Sequence, residues 1–207
     1  MIPVKVLAVQ YLSAVSPELS RALGTDAPCL GLITTDSDDP TYIALDQATK
    51  DAQVTVCYGR SFYAGAGNST TPYAGEVIGV LAGPTPGAVR SGMEAALGAL
   101  ECIGFESAGD VPYLAHTVSS CGSFLAKEAG VTEGSSLAYL IAPPLESMYA
   151  LDAALKAADV NLCKLYAPPS ETNFGGALLT GTQSACAAAC TAFSQAIQSV
   201  AETPIDR

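Results

Sequence analysis

Carboxylates are the residues of this chain whose type and spacing best suit a binding site. Asp36, Asp38 and Asp39 lie between a buried apolar segment and a predicted helix, and Glu76 begins a later apolar segment. Such a group attracts small cations and can pair with an ammonium or hydroxyl group. The acidic run also has a plainer interpretation, in which Asp39 or Thr41 caps the helix and the remaining charges face water. The residue types alone leave both interpretations open.

Cys186 and Cys190 are the second pair whose spacing could do chemistry. Side chains four positions apart share one face of a helix, and two thiolates there could begin a zinc site. No histidine or acid lies near them in sequence, and His116, the only histidine, is far away. Because unpaired cysteines are commonly buried, we expect this pair to be packing residues, and the sequence leaves metal binding by it open.

Motifs of common catalytic and nucleotide-binding sites are missing from the sequence. His116 stands in an apolar segment without a G-x-S-x-G nucleophile motif. Neither a GxxxxGK[ST] nor a GxGxxG phosphate loop occurs. We therefore expect His116 to be structural, and the chain to be a protein that is not an enzyme, has no metal site and requires no cofactor.

Composition excludes two classes of partner. The 207 residues carry 9 basic and 20 acidic side chains, a net charge of −11, and no basic cluster, which argues against nucleic acid. No apolar run approaches the ~20 residues that span a bilayer, and the start of the chain lacks a signal-peptide pattern. The seven cysteines are therefore expected to be reduced in the cytosol. Only 14% of the residues are charged, which suggests a surface covered by partners.

An internal repeat divides the chain. The segments Ala44–Cys57 and Ala150–Cys163 are 106 positions apart and share eight of fourteen residues. Farther along, Leu81–Gly83 matches Leu179–Gly181 at an offset of 98, so the first copy has about eight extra residues. The insertion lies between Tyr58 and Gly75 in a stretch rich in Gly, Ser and Thr, which is typical of a loop.

Each copy has the same order of strand and helix signals, which predicts an α/β or α+β fold. The boundary between the copies is expected in the Gly- and Pro-containing segment 104–112. The predicted helices are Pro17–Leu23, Thr41–Ala52, Pro86–Leu100, Ser123–Ala129, Leu145–Ala158 and Ser184–Ala201.

Five long strings, in order, resemble the EutL-type shell-protein family of bacterial microcompartments for ethanolamine utilisation. They are SDDPTYIALDQATK (37–50), YGRSFYAGAGN (58–68), AGEVIGVLAGPTP (74–86), APPLESMYALDAALKAADV (142–160) and APPSETNFGGALLTGTQSACAAAC (167–190). The resemblance implies two tandem circularly permuted shell domains of ferredoxin-like fold, 1–105 and 106–207. It also implies a homotrimer that forms a pseudo-hexameric tile with other shell proteins, in a microcompartment shell in the cytoplasm.

The family also implies roles for particular residues. Positions matching Asp38, Glu76 and Phe105 line small pores associated with ethanolamine, where carboxylates would pair with the ammonium and the aromatic ring would add a cation–π contact. Two loops are expected to gate a central pore, or else to be ordinary surface loops. They contain Tyr63, Gly65, Gly67 and Asn68 in the first copy, and Thr172, Asn173 and Phe174 in the second.

Passage or binding of cobalamin is a further suggestion of the family. The alternative function from a different class is a soluble small-molecule binding or sensor protein that uses the same acidic pocket.

Overall fold

Six helices and nine strands are present in the residues that the computed structural model describes, which are 1–62, 75–168, 170 and 172–205. The helices are α1 (Pro17–Ala22), α2 (Asp38–Asp51), α3 (Pro86–Leu100), α4 (Ser123–Ala129), α5 (Pro144–Ala157) and α6 (Gln183–Glu202). The strands are β1 (Val6–Leu12), β2 (Cys29–Thr35), β3 (Thr55–Ser61), β4 (Val77–Gly83), β5 (Glu106–Ala108), β6 (Val111–Val118), β7 (Ser136–Ala142), β8 (Val160–Tyr166) and β9 (Gly175–Gly181). None of the described helices is long and apolar enough to cross a membrane.

The two sheets repeat one antiparallel topology. The first has the order β1-β2-β4-β3, and the second has the order β5-β6-β7-β9-β8. Helices α2 and α5 both have 14 residues and begin 106 positions apart, whereas β4 and β9 begin 98 positions apart. The edge strands β3 and β8 even have their register irregularity at equivalent places, Val56/Tyr58 and Leu162/Lys164. The predicted mixed α/β fold and both predicted repeat offsets are confirmed.

Each sheet buries one face against two helices. In the first copy, α2 and α3 contribute a core that includes Leu45, Met93 and Ala96. In the second copy, α5 and α6 do the same around Leu151 and Phe193. Small residues on these helices, Ala above all, allow close approach of helix and sheet and explain why a chain with so much Ala folds compactly.

Helices α3 and α6 both begin with a threonine N-cap. The side chain of Thr85 accepts a 3.1 Å hydrogen bond from the amide of Ala88, and the side chain of Thr182 accepts one of 3.2 Å from the amide of Ala185. A threonine in this position satisfies one of the amides that the first turn leaves without a partner. The two copies therefore share their capping as well as their order of elements.

The chain forms two compact units. The N-terminal unit comprises Pro3–Ile103 and Gly122–Leu125, and the C-terminal unit comprises Met1–Ile2, Gly104–Cys121 and Ala126–Arg207. A short strand, β5, occupies the segment that the sequence suggested as a linker, and it pairs with β6. The domain limits 1–105 and 106–207 stay a prediction.

Candidate functional site

The backbone of the N-terminal unit positions two of the predicted carboxylates. Asp38 begins α2, directly after β2, and Glu76 directly precedes β4. The amide of Glu76 donates a 2.8 Å hydrogen bond to the carbonyl of Thr35, and the carbonyl of Glu76 accepts one of 3.0 Å from Phe62. Gly75 makes this entry possible, because its φ of +61° is a conformation that other residues rarely adopt. Backbone hydrogen bonds to Thr35, at the end of β2, and from Phe62, directly after β3, thus fix Glu76 at the start of β4.

Two neighbouring aspartates, Asp38 and Asp36, act electrostatically on Glu76. Burial raises the pKa of Glu76 above its ordinary range, and the charges of Asp38 and Asp36 raise it further. Burial also raises the pKa of Asp38, against the opposing effect of a hydrogen bond from the Ser61 side chain. A cation placed among these groups would relieve both the cost of burying the carboxylates and the repulsion that Glu76 experiences. The arrangement therefore favours a small cationic ligand.

Ser61 and Tyr42 complete the polar surroundings of Asp38, and sequence reasoning missed both residues. The Tyr42 hydroxyl and the Ser61 hydroxyl are 2.6 Å apart and share a hydrogen bond. Ser61 in turn hydrogen-bonds Asp38. Tyr42 lies one helical turn after Asp38, which is the signal that could have found it. Ser61 comes from β3, and no spacing in the sequence indicates that contact.

The capping interpretation of the acidic run is wrong. Helix α2 begins at Asp38, so Asp39 and Thr41 lie inside its first turn, and Ser37 is the cap residue without a side-chain capping bond. The Thr41 hydroxyl donates to the carbonyl of Ser37 at 2.7 Å instead. Asp38 and Asp39 are both only 7% exposed, so they are not solvated charges. A buried carboxylate needs polar partners, which favours the binding interpretation.

Asp36 differs from the other two aspartates of the run. Its side chain is exposed and accepts a 2.8 Å hydrogen bond from the amide of Lys5. It thereby ties the start of the chain to the end of β2, while its charge still raises the pKa of Glu76. Asp36 is best described as the outer member of the carboxylate group.

Phe105 and Phe174, predicted for different roles, are neighbours in the C-terminal unit. Their ring centroids are 5.8 Å apart and the rings are tilted by 57°, a favourable geometry for an aromatic pair. Phe105 belongs to the expected small pore and Phe174 to an expected gating loop. The structure thus brings a residue of each group into contact, while Asp38 and Glu76 belong to the N-terminal unit.

The loop of the second copy is held by bonds of its own backbone. The amide of Ser170 donates to the carbonyl of Phe174 at 2.9 Å, and the amide of Asn173 donates to the carbonyl of Ser170 at 3.1 Å. Asn173 has a φ of 67°, which asparagine tolerates better than most residues. The amide of Thr172 donates to the Ser170 hydroxyl at 3.4 Å. Tyr63, Gly65, Gly67 and Asn68 of the other loop lie outside the described residues.

Cys186 and Cys190 are buried on the inner face of α6. The Thr117 hydroxyl donates to the Cys190 sulfur at 3.4 Å, and burial raises the pKa of that thiol to about 11. A protonated thiol is a poor metal ligand. Within the part of the chain that the structure describes, no group of three or more His, Cys, Asp or Glu side chains could hold a metal ion. These contacts support packing for the pair.

His116 lies in the middle of β6, where it faces Tyr139 of β7 in the strand register. It is partly buried and has an interaction partner. A histidine in such a place is a satisfied member of the sheet, as the sequence suggested.

Comparison with known proteins now adds to the geometry. The BMC domain family matches residues 29–110. The chain is 59% identical over 206 residues to the bacterial microcompartment shell protein EutL of Clostridium perfringens, covering 97% of this chain and 95% of that protein. It is 49% identical to EutL of Escherichia coli K12, covering 98% of this chain and 95% of that protein.

Solved structures give the same result. The monoclinic crystal structure of EutL from Clostridium perfringens superposes with a TM-score of 0.96 at 58% identity, covering 99% of this chain and 96% of that one. The resemblance that the five sequence strings suggested is confirmed. The chain belongs to the EutL family of bacterial microcompartment shell proteins.

Proposed function

We propose that three copies of this chain form a pseudo-hexameric tile of a microcompartment shell, together with other shell proteins, in the cytoplasm. The observation that carries this proposal is the structural repeat. Two sheets of the same order, with helices of equal length at an offset of 106, give one chain two equivalent domains. Three such chains in a ring would present six equivalent domains and tile a flat facet.

The carboxylate group of the N-terminal unit is the proposed small-molecule site of the tile. Asp38 and Glu76 would pair with the ammonium of ethanolamine, and Ser61, bonded to Asp38, would contact its hydroxyl group. The resemblance associates the family with ethanolamine, and the positive charge of this short amino alcohol is complementary to the carboxylates. Phe105, in the C-terminal unit, stays the third residue that the resemblance predicts for the small pores.

The two loops of the repeat are the proposed gate of a central pore. In the second copy the gate comprises Thr172, Asn173 and Phe174, and Phe174 contacts Phe105, which is predicted for the small pores. In the first copy it comprises Tyr63, Gly65, Gly67 and Asn68. A gate of this kind would pass a bulky metabolite or cofactor, and cobalamin is the proposed candidate.

The chain is proposed to act without catalysis. His116 is a member of a sheet, and the buried Cys190 thiol is held protonated by its raised pKa. The other candidate function is a soluble binding or sensor protein that uses the acidic group alone. The repeat favours the shell, since a sensor has no need of two equivalent domains.

Assembly separates these functions. Sedimentation velocity of the purified chain should show a trimer, and electron microscopy at high protein concentration should show flat sheets. A monomer that forms neither at any concentration would refute the shell tile and favour the binding protein.

A further inference from the structure

We infer that the surface formed by α5 and β8 binds residues 16–19 of a second copy of this chain. The inference rests on the proposed trimer and identifies the residues that close it. Within one chain, α2 and β3 contact residues 122–125. The internal repeat contains a second copy of each of these two surfaces.

The contact made within the chain joins α2 to residues 122–125. The carboxylate of Asp46, on α2, is completely buried. It accepts hydrogen bonds of 2.7 Å from the amide of Gly122 and 2.8 Å from the amide of Leu125. The hydroxyl of Thr49, one turn later, accepts a 3.1 Å bond from the amide of Ser123. Three hydrogen bonds therefore attach this short segment to α2.

Apolar contacts border these bonds. The rings of Tyr42, on α2, and Phe124 have centroids 5.8 Å apart. Gly59, on β3, leaves room for both rings, because a Cβ at that position would lie 3.3 Å from Tyr42 and 3.6 Å from Phe124. Leu125 is only 1% exposed. The α2–β3 surface and residues 122–125 thus make a small interface with a buried polar centre.

The repeat places an unused copy of each half elsewhere in the chain. At the offset of 106, Gly122 and Leu125 correspond to Ser16 and Leu19. Helices α1 and α4 likewise begin 106 residues apart. Leu19 is 45% exposed, although its counterpart Leu125 is almost fully buried. Asp46 corresponds to Asp152, whose side chain is 65% exposed.

The exposed copy of the docking surface keeps the acid and its lysine, whereas the hydroxyl acceptor Thr49 is replaced by Leu155. Asp152 is the same residue as Asp46, and both pair with a lysine four positions later. The counterparts of Tyr42, Thr49 and Gly59 are Met148, Leu155 and Leu165, all apolar and all exposed. Exposed apolar side chains around an acid indicate an interface that is open in the single chain.

Differences between the two copies compensate for one another. Phe124 of the segment corresponds to the less bulky Glu18, whereas Gly59 of the surface corresponds to the larger Leu165. Volume lost on the segment is therefore regained on the surface. A Cβ at Gly122 would clash with the Thr49 hydroxyl and lie 2.7 Å from the backbone carbonyl of Asp46. Ser16 must therefore lie farther from Asp152 than Gly122 lies from Asp46, and the flexible Leu155 side chain must also turn aside for it.

The two open halves differ from each other, and a contact between unlike surfaces can bind successive copies head to tail. Such an interface either closes into a ring or propagates without end. Around the ring of the proposed trimer, contacts of this kind within one chain would alternate with contacts between neighbouring chains.

Cysteine cross-linking tests the contact directly. In a chain carrying Cys102→Ser, which removes an exposed thiol, we expect Ser16→Cys combined with Leu155→Cys to give a covalent trimer on a non-reducing gel. Reductant should dissolve it, and neither single variant should form it. The pair is chosen because Thr49, the counterpart of Leu155, accepts the bond from the residue directly after Gly122.

Asp152→Ala gives an independent readout. It should raise the protein concentration at which half of the chains are trimeric by at least about tenfold, as loss of a buried charged partner at an interface does. Glu94→Ala, an exposed helical acid of α3, is the matched control and should leave that concentration unchanged. Circular dichroism should show the same helix content for both variants.

The outcomes distinguish this inference from the proposed assembly. A trimeric parent chain that gives no cross-link and tolerates Asp152→Ala would overturn the α5–β8 contact and leave the trimer standing. A parent chain that stays monomeric at all concentrations would overturn both.

Discussion

Asp46 and Gly122 are joined by a 2.7 Å hydrogen bond across 76 positions of the sequence. The carboxylate is fully buried and receives a second amide bond, from Leu125. Burial raises its pKa, and the bonds from the two amides act in the opposite direction. Hydrogen bonds from backbone amides therefore offset the cost of burying this carboxylate, which attaches residues 122–125 to α2.

Removal of this carboxylate should destabilise the chain. Asp46→Ala leaves two buried amides without their acceptor, and we expect the free energy of unfolding to fall by about 2–4 kcal/mol. Asp46→Asn keeps one acceptor oxygen and should have a smaller effect. Urea denaturation followed by circular dichroism measures both. Glu94→Ala is the control and should change stability by no more than about 0.5 kcal/mol; an equal effect of the two alanine variants would contradict the prediction.

Repetition made much of this fold predictable. Helices α3 and α4 were predicted with their observed limits, because Thr85–Pro86 is a strong start signal and because α4 recurs at the offset of α1. The start of α2 was placed three residues too late, at Thr41. The sequence shows Pro40 there, which suggests a helix start just after it, whereas proline is tolerated anywhere in the first turn.

Features that depend on tertiary contact were not predictable. Strand β5 has three residues and exists because it pairs with β6 across a turn at Gly109, whose φ is +59°. The bond between Ser61 and Asp38 joins β3 to α2, and no periodicity indicates it. Asp46 carried a signal, its identity with Asp152, but the repeat alone could not say that one copy is buried and the other exposed.

Glu76 should control the binding of ethanolamine. Glu76→Gln removes one of the carboxylates facing the ammonium, and we expect the dissociation constant from calorimetry to rise about five- to tenfold at pH 8. Binding by the parent chain should weaken as the pH falls, starting above the ordinary range of a glutamate because the pKa of Glu76 is raised. Glu94→Gln should bind like the parent chain. Unchanged affinity of Glu76→Gln would remove this residue from the site.

The same substitution should stabilise the chain when no ligand is present. The pKa of Glu76 is raised above its ordinary value of 4.5 by burial and by two neighbouring charges, so the folded chain holds this proton to a higher pH than the unfolded chain. The contribution of Glu76 to stability is therefore complete below pH 4.5 and is lost as the pH rises through the folded pKa.

Urea denaturation as a function of pH checks this sign. At pH 7 Glu76→Gln should be more stable than the parent chain, by up to about 1 kcal/mol for a partly exposed group. The difference should vanish near pH 4, where both side chains are neutral. A variant that is less stable than the parent chain at pH 7 would show that the Glu76 carboxylate is stabilised by a partner and not strained by its neighbours.

The cysteines should differ widely in reactivity. Cys102 is exposed, whereas Cys186 and Cys190 are buried, and the pKa of Cys190 is raised to about 11. Only the thiolate reacts, so at pH 8 roughly one Cys190 side chain in a thousand would be reactive even if the reagent reached it. Iodoacetamide treatment of the native chain, followed by mass spectrometry of peptides, should modify Cys102 first and leave Cys186 and Cys190 unmodified. In denaturant all seven cysteines should react. Modification of Cys190 at the rate of Cys102 in the native chain would show that α6 opens, and that its thiols are available for chemistry after all.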